Sequence, residues 1–361
     1  MARTPPDYTG TGLVNLIAEI EHTLAGAAPS PRLTAGSIPA ADGYVLVVFD
    51  GLGTHQLGHS AASPLSAAHQ VTLKAGFPTT TTVSLGTVAT GLPPSAHGLI
   101  GHILHLPGIA ETVNTLKWVT PSGQPVDHDY ASFLPAPNLW ERLGGAGVEP
   151  ITVQPGAFLD SPLSRLLYRG CRFEAAWSRD ELVQATIDVA GPGRLVVAYY
   201  PNVDVAAHVS GQASEAYRDA LAGAASAWEK LSRLLPDQIG LVGTADHGHL
   251  DYGPDDKVLI RQERFDQLLL YGDPRSVYAS GPPELIEELA VEAGADIFDV
   301  AQLIRWLGGD PRHPDLDKRL PDRLLLAPRG KILLPKAFDK RLIGYHGGLE
   351  AEEIEIPLLT R

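Results

Sequence analysis

Ile239-Gly-Leu-Val-Gly-Thr244-Ala245-Asp246-His247-Gly248-His249 joins an unbroken apolar run to a carboxylate, an imidazole and a glycine turn. Such a run suits a strand buried on both faces, as in the interior of a parallel sheet. Ligands of open α/β sheets bind beyond the carboxyl ends of the strands, which is where Asp246 and His247 fall. Two such groups leaving a core are costly to desolvate unless they are paired or hold a metal ion.

Working outward, the same grammar recurs. Tyr44-Val-Leu-Val-Val-Phe49-Asp50-Gly51-Leu52-Gly53 ends an apolar run in Asp and a glycine turn, and Arg194-Leu-Val-Val-Ala-Tyr-Tyr200 runs into Pro201-Asn-Val-Asp204-Val-Ala-Ala-His208. His346 lies in Gly344-Tyr-His346-Gly-Gly348, ahead of a last strand over 353–359. Apolar spacing predicts helices over 13–24, 135–147, 180–189 and 215–235. Strands alternating with helices predict an α/β protein with a mostly parallel central sheet and helices on both faces. Residues 251–334 depart from that rhythm, with short strands at 257–260 and 276–278 and helices near 283–293 and 300–307. They read as a smaller inserted cap, leaving 1–250 and 335–361 as the catalytic core. The stretch from Ile100 to Asp127 reads as a loop.

Composition narrows the partners. Against 28 Lys and Arg stand 42 Asp and Glu, a formal charge of -14, and no basic run is long enough to track a phosphate backbone. Nucleic-acid polymers and anionic membranes are therefore excluded as expected partners. A small anionic substrate fits if a bound cation supplies local positive charge. The lone Cys171 precludes an intramolecular disulfide and a cysteine zinc cage. Met-Ala-Arg-Thr-Pro-Pro-Asp-Tyr has no apolar signal core, and no apolar run approaches the ~20 residues of a spanning helix, so the expected location is cytoplasmic. Nothing in the sequence sets an oligomeric state.

Phe77-Pro-Thr-Thr-Thr81-Thr-Val-Ser-Leu-Gly-Thr-Val-Ala-Thr90-Gly91 places a run of threonines at the start of a helix that ends at Gly91. Threonine is common at helix N-caps, which accounts for most of the run. The free N–H groups and dipole of a helix start also favour an anion, such as an alkoxide or a phosphoryl oxygen. Asp50, Asp204 with His208, Asp246 with His247, and His346 form a two-metal inventory. Oxygen and nitrogen donors without thiolates suit Zn2+, and also Mn2+ or iron, better than calcium. Two cations roughly 4 Å apart would clamp a phosphoryl oxygen and activate a hydroxyl nucleophile.

In this order and at these strand ends, the motifs resemble the alkaline phosphatase superfamily, and specifically its nucleotide pyrophosphatase/phosphodiesterase (type I phosphodiesterase) branch, from Tyr44 to Leu359. The markers are Phe49-Asp50-Gly51, Phe77-Pro78-Thr79-Thr80-Thr81 with Thr90-Gly91-Leu92 and Ser95-Ala96-His97-Gly98, Asp204 with His208, Asp246-His247-Gly248, and His346-Gly347. The resemblance implies an alkaline-phosphatase-like fold and hydrolysis of phosphodiester or pyrophosphate bonds in small molecules such as nucleotides. It implies one metal on Asp50, Thr81, Asp246 and His247, a second on Asp204, His208 and His346, and Thr81 as nucleophile through a covalent phospho-threonine. A shift of the loop by one would give Thr80 or Thr82 that role. Relatives usually carry a phosphate-binding Asn a few residues beyond the His-Gly pair; here His102 falls there, so either His102 or Asn114 takes its place. His97 is expected to brace the helix end and His249 to support a ligand. Trp118 and Tyr130 have two readings, stacking on a base or the simple packing more common for aromatic loop residues. Cys171 lacks the Cys-x-Pro-x-Arg run of sulfatases, and alkaline phosphatases of the bacterial type use serine where Thr81 stands. A phosphonoacetate-type C–P hydrolase and a catalytically inactive metal-binding module are the alternative readings.

Overall fold

A computed structural model describes residues 3–109, 111–127, 129–261 and 263–361. Its main sheet contains β1 (Gly43–Phe49), β2 (His69–Lys74), β3 (Glu149–Pro155), β4 (Arg172–Ala176), β5 (Arg194–Tyr200), β6 (Ile239–Thr244) and β7 (Glu355–Thr360), in the order β2-β7-β6-β1-β5-β3-β4. Only β7 runs against its neighbours; β6, β1, β5, β3 and β4 pair in parallel. The central strands β1 and β6 are buried along their whole lengths, whereas the edge strands β2 and β4 are largely open. Continuous apolar runs therefore mark the middle of the sheet, as expected for strands covered on both faces.

Register decides where the polar ends go. Val48 pairs with Thr244 and Phe49 with Tyr200, so β6, β1 and β5 stop at the same level. The next residues of all three, including Asp50, Asp246 and the turn into Asp204, emerge together at one sheet edge.

Six of the helices form two groups. One contains α1 (Leu13–Ala25), α2 (Thr81–Thr90) and α3 (Leu139–Gly145), which touch one another; the other contains α4 (Arg179–Val189), α5 (Asn202–Ser210) and α6 (Glu215–Leu234). Ser178 and Ser214 cap α4 and α6 by accepting from the N–H groups of Glu181 and Tyr217. Gly26 and Gly91 end α1 and α2 in the left-handed conformation. Among the described residues no helix is long and apolar enough to cross a membrane.

A second, antiparallel sheet takes the order Asp296–Phe298, Arg323–Leu326, Ser276–Ser280, Leu269–Asp273, Ile103–His105, Thr112–Asn114. Pro283–Ala293 covers it through Ile286 and Leu289, which pack with Phe265, Val277 and Leu325 in a separate small core. This corrects the reading of 100–127 as loop: the two short strands there exist because Ile103 pairs with Gly272, a partner remote in sequence. We keep 251–334 as the proposed inserted unit, with these two strands joined to its edge.

Candidate active site

Three imidazoles converge on the sheet edge with their orientation fixed from behind. Nδ1 of His208 meets the Gly344 carbonyl at 2.7 Å, Nδ1 of His346 the Thr79 carbonyl at 2.8 Å, and Nδ1 of His247 the Gly248 carbonyl at 3.0 Å. A carbonyl only accepts, so each Nδ1 carries the hydrogen and a neutral ring presents a bare Nε2 to the centre. His346 Nε2 and His208 Nε2 stand 3.2 Å apart, and His208 Nε2 is 3.2 Å from Asp204 Oδ2. Around His247 Nε2 lie Thr81 Oγ1 at 3.1 Å, Asp246 Oδ2 at 3.4 Å and Asp50 Oδ1 at 3.6 Å. Donor atoms about 2.1 Å from a tetrahedral ion are about 3.4 Å from each other, so these spacings are those of ligand-to-ligand edges.

The electrostatics point the same way. Asp50 Oδ1, Asp204 Oδ1 and Asp246 Oδ2 are buried with no hydrogen-bond partner among the described residues. Burial, and then the nearby Asp246 and Asp204 carboxylates, push Asp50 well above the usual carboxylate range. Burial opposes charge on His208 as well, yet Asp204 pushes its pKa up to about 9. Lone pairs and carboxylates crowded this closely call for positive charge, which divalent ions would supply.

The structure brings Asp204, His208 and His346 together as one candidate metal group and Asp50, Asp204 and His247 as another. Asp204 thus faces both groups. Asp246 accepts from the N–H groups of Gly51 and His247 through Oδ1, leaving Oδ2 for the centre.

Within the threonine run the hydroxyls divide. Thr79 bonds the Gly348 carbonyl and accepts from Gly347 N–H, bracing the turn that carries His346. Thr82 is bonded by Thr115, and Thr80 hydrogen-bonds Asp273. Thr81 is the one whose hydroxyl meets His247. Thr80 spends no side-chain bond on capping α2, so the helix start is left open toward an anion. A cavity of about 840 Å3 opens above Thr81, lined by Asp50, His102, Asn114, Asp204, His208 and His346, with an apolar wall that includes Leu85, Phe158, Leu163 and Tyr168.

Other expected residues divide between revision and agreement. His102 and Asn114 are not alternatives: both line the cavity and bond each other at 3.1 Å. Of the two readings of Trp118 and Tyr130 the packing one holds: neither lines the cavity, and Trp118 is 1% exposed and packs edge-on against Tyr130 and Phe133. His97 joins Thr87 to the Leu99 N–H and so braces α2. His249 makes no hydrogen bond to a candidate ligand among the described residues, because its ring is turned against Tyr217.

Three contributors were not singled out from the sequence. Tyr199 donates a hydrogen bond to Asp50 Oδ2. Its signal was position, one residue before the end of β5. Glu353 accepts from Gly348 N–H with its carboxylate and from Gly248 N–H with its carbonyl, tying the His346 and His247 turns together, and pairs with the buried Arg275 at 3.3 Å. Asp273, beside Arg275, is 1% exposed and lines the cavity.

Gly51 offers a direct check on this packing. Its φ is +74°, and a Cβ there would lie 2.8 Å from Asp204 Cβ. Gly51→Ala is expected to cost about 1–2 kcal/mol from left-handed strain alone, more with the clash, and to weaken metal binding. Urea unfolding and bound-metal analysis would check it, and an unchanged midpoint with full metal would contradict it.

A mostly parallel sheet with an Asp/His cluster and a helix-start hydroxyl at its edge is an alkaline-phosphatase-like fold. The chain belongs to the type I phosphodiesterase/nucleotide pyrophosphatase family, whose model matches residues 44–329. It is similar in structure to murine ectonucleotide pyrophosphatase/phosphodiesterase 5, at 18% identity, 87% coverage of each chain and a TM-score of 0.66. An inactive threonine-to-alanine variant of that protein in complex with AMP matches with the same values. Phosphonoacetate hydrolase from Sinorhizobium meliloti 1021, in complex with phosphonoformate, is similar at 18% identity, 90% of this chain and 91% of that one, with a TM-score of 0.66. No curated protein matches the chain by sequence.

Proposed function

We propose that this protein hydrolyses phosphodiester or pyrophosphate bonds of small molecules such as nucleotides, with Thr81 as nucleophile. Asp50, Asp246, His247 and Thr81, and Asp204, His208 and His346, would hold two divalent ions, most naturally Zn2+ given an oxygen and nitrogen donor set without thiolate. The observation that carries the reading is Thr81 Oγ1 at 3.1 Å from His247 Nε2 at the open start of α2. The inactive threonine variant of the murine relative supports the role given to Thr81.

Bound ions would lower the pKa of the Thr81 hydroxyl and of water and neutralise phosphoryl oxygens. Thr81 Oγ1 gives up its proton to solvent and attacks phosphorus, and the bond from phosphorus to the leaving oxygen breaks, the leaving oxygen taking a proton from solvent. This leaves a phosphoryl ester on Thr81. Water then attacks the same phosphorus, the threonine oxygen leaves and takes back a proton, and the monoester product departs. Amide N–H groups at the start of α2 donate to the phosphoryl oxygens, and Tyr199 keeps Asp50 aimed inward. The wall of Leu85, Phe158, Leu163 and Tyr168 gives an esterified group an apolar seat.

That seat favours a diester. With zinc, kcat/KM for bis-(p-nitrophenyl) phosphate is expected to exceed that for the monoester by about tenfold or more, the scale of one to two kcal/mol of apolar contact. Equal or reversed values would count against the reading. The similarity to phosphonoacetate hydrolase keeps a C–P hydrolase in view, and release of phosphate from phosphonoacetate tests it. Full metal loading without turnover on either class would instead support a metal-binding module.

A further inference from the structure

The pair His102 and Asn114 carries information that neither residue holds alone. Asn114 Oδ1 accepts from the backbone N–H groups of Leu116 and Lys117, both at 3.0 Å. The amide orientation is fixed by those two bonds, so the other terminal atom is the NH2 group, and it lies 3.1 Å from His102 Nε2. An NH2 group can only donate. His102 must therefore accept at Nε2, and its hydrogen sits on Nδ1. Burial, then His208 and Lys117, push the His102 pKa down to about 4, so the ring is neutral around pH 7.

The backbone of His102 is held on both sides. Its N–H donates to Asp273 Oδ2 at 3.2 Å, and its carbonyl accepts from Thr115 N–H at 2.8 Å and Thr115 Oγ1 at 3.0 Å. With Nε2 occupied, the one unspent polar group is Nδ1–H. It has no partner among the described residues, it is not one of the sealed-off buried polar atoms, and His102 lines the cavity with Thr81, Asp204, His208 and His346. A loop histidine facing bulk water would not need its tautomer and both backbone groups fixed.

We propose that His102 donates Nδ1–H to a non-bridging phosphoryl oxygen of the substrate, and that Asn114 is a positioning residue that selects this tautomer. The inference rests on the phosphoester reading of the site. A neutral donor adds no charge beside cations already bound, and its hydrogen bond strengthens as charge develops on the phosphoryl oxygens in the transition state.

Zinc-loaded protein labelled with 15N-histidine tests the tautomer without turnover. The ring resonances that vanish in His102→Gln should show the neutral Nδ1–H form, and the Nδ1–H signal should shift when AMP is added. In Asn114→Asp a carboxylate accepts from Nε2–H, so the signature should change to the Nε2–H or doubly protonated form. His102→Ala should lower kcat for the diester by about 100-fold, the scale for one such donor, and His102→Asn should restore part of it. Asn114→Asp should lose activity near pH 8 and regain it toward lower pH as the ring takes a second proton, in the field of Lys117, His208 and Asp273. A merely structural role would not move that profile. An Nε2–H ring in the unaltered protein, an Nδ1–H signal indifferent to AMP, or an undiminished His102→Ala enzyme would overturn the proposal. Turnover that survives in Thr81→Ala would instead sink the parent reading and leave the spectra to decide the tautomer.

Discussion

Thr81→Ala is expected to lower kcat/KM toward bis-(p-nitrophenyl) phosphate by about 10⁴-fold or more, the scale seen when a nucleophile that acts with its neighbours is deleted. The fold should survive, because Thr81 opens α2, where alanine is a good helix former. The group of Asp204, His208 and His346 contains no atom of Thr81, so it should retain its ion. Thr80→Ala and Thr82→Ala supply the comparison. Their hydroxyls are engaged by Asp273 and Thr115, so they should lose far less activity. Steady-state kinetics beside far-UV circular dichroism reads all three. A Thr81→Ala enzyme of near-normal activity, or a greater loss from Thr80→Ala, would move the nucleophile elsewhere.

The second large effect concerns Asp204. Because its carboxylate faces both candidate metal groups, Asp204→Asn should abolish activity and drop bound zinc from about two ions per chain toward none. Asp246→Asn should also abolish activity but keep about one ion, since the group of Asp204, His208 and His346 stays whole. Metal analysis after dialysis separates the two outcomes. An Asp204→Asn protein that holds as much zinc as Asp246→Asn would show that Asp204 serves one ion only.

The fold and the candidate ligands were legible for the same reason. Interior parallel strands must be apolar throughout, so their ends stand out as abrupt arrivals of Asp50 and Asp246, and parallel register then brings those ends to one level. His346 and the threonine run could be joined to them only by resemblance, since nothing local says that Thr79 will brace the His346 turn. The strands at Ile103–His105 and Thr112–Asn114 escaped because short strands are made by their partners, here beginning with Gly272. Trp118 stood between two readings for a related reason: an aromatic side chain in a polar stretch can stack on a ligand or simply pack, and only tertiary contacts show it buried against Phe133. His102 and Asn114 looked like rivals because the hydrogen bond that makes them a pair spans a hairpin invisible in the periodicity. Asp273 and Glu353 carried no motif, and their roles come from the segments they hold together.

The most direct test of the central claim is a rapid acid quench of the zinc-loaded protein during turnover of a diester, followed by peptide mass spectrometry. The expected result is a phosphoryl ester on the peptide that spans Thr81, with fragment ions placing the added mass on that residue, and none in Thr81→Ala. Sustained turnover with no adduct, or an adduct on another side chain, would contradict it.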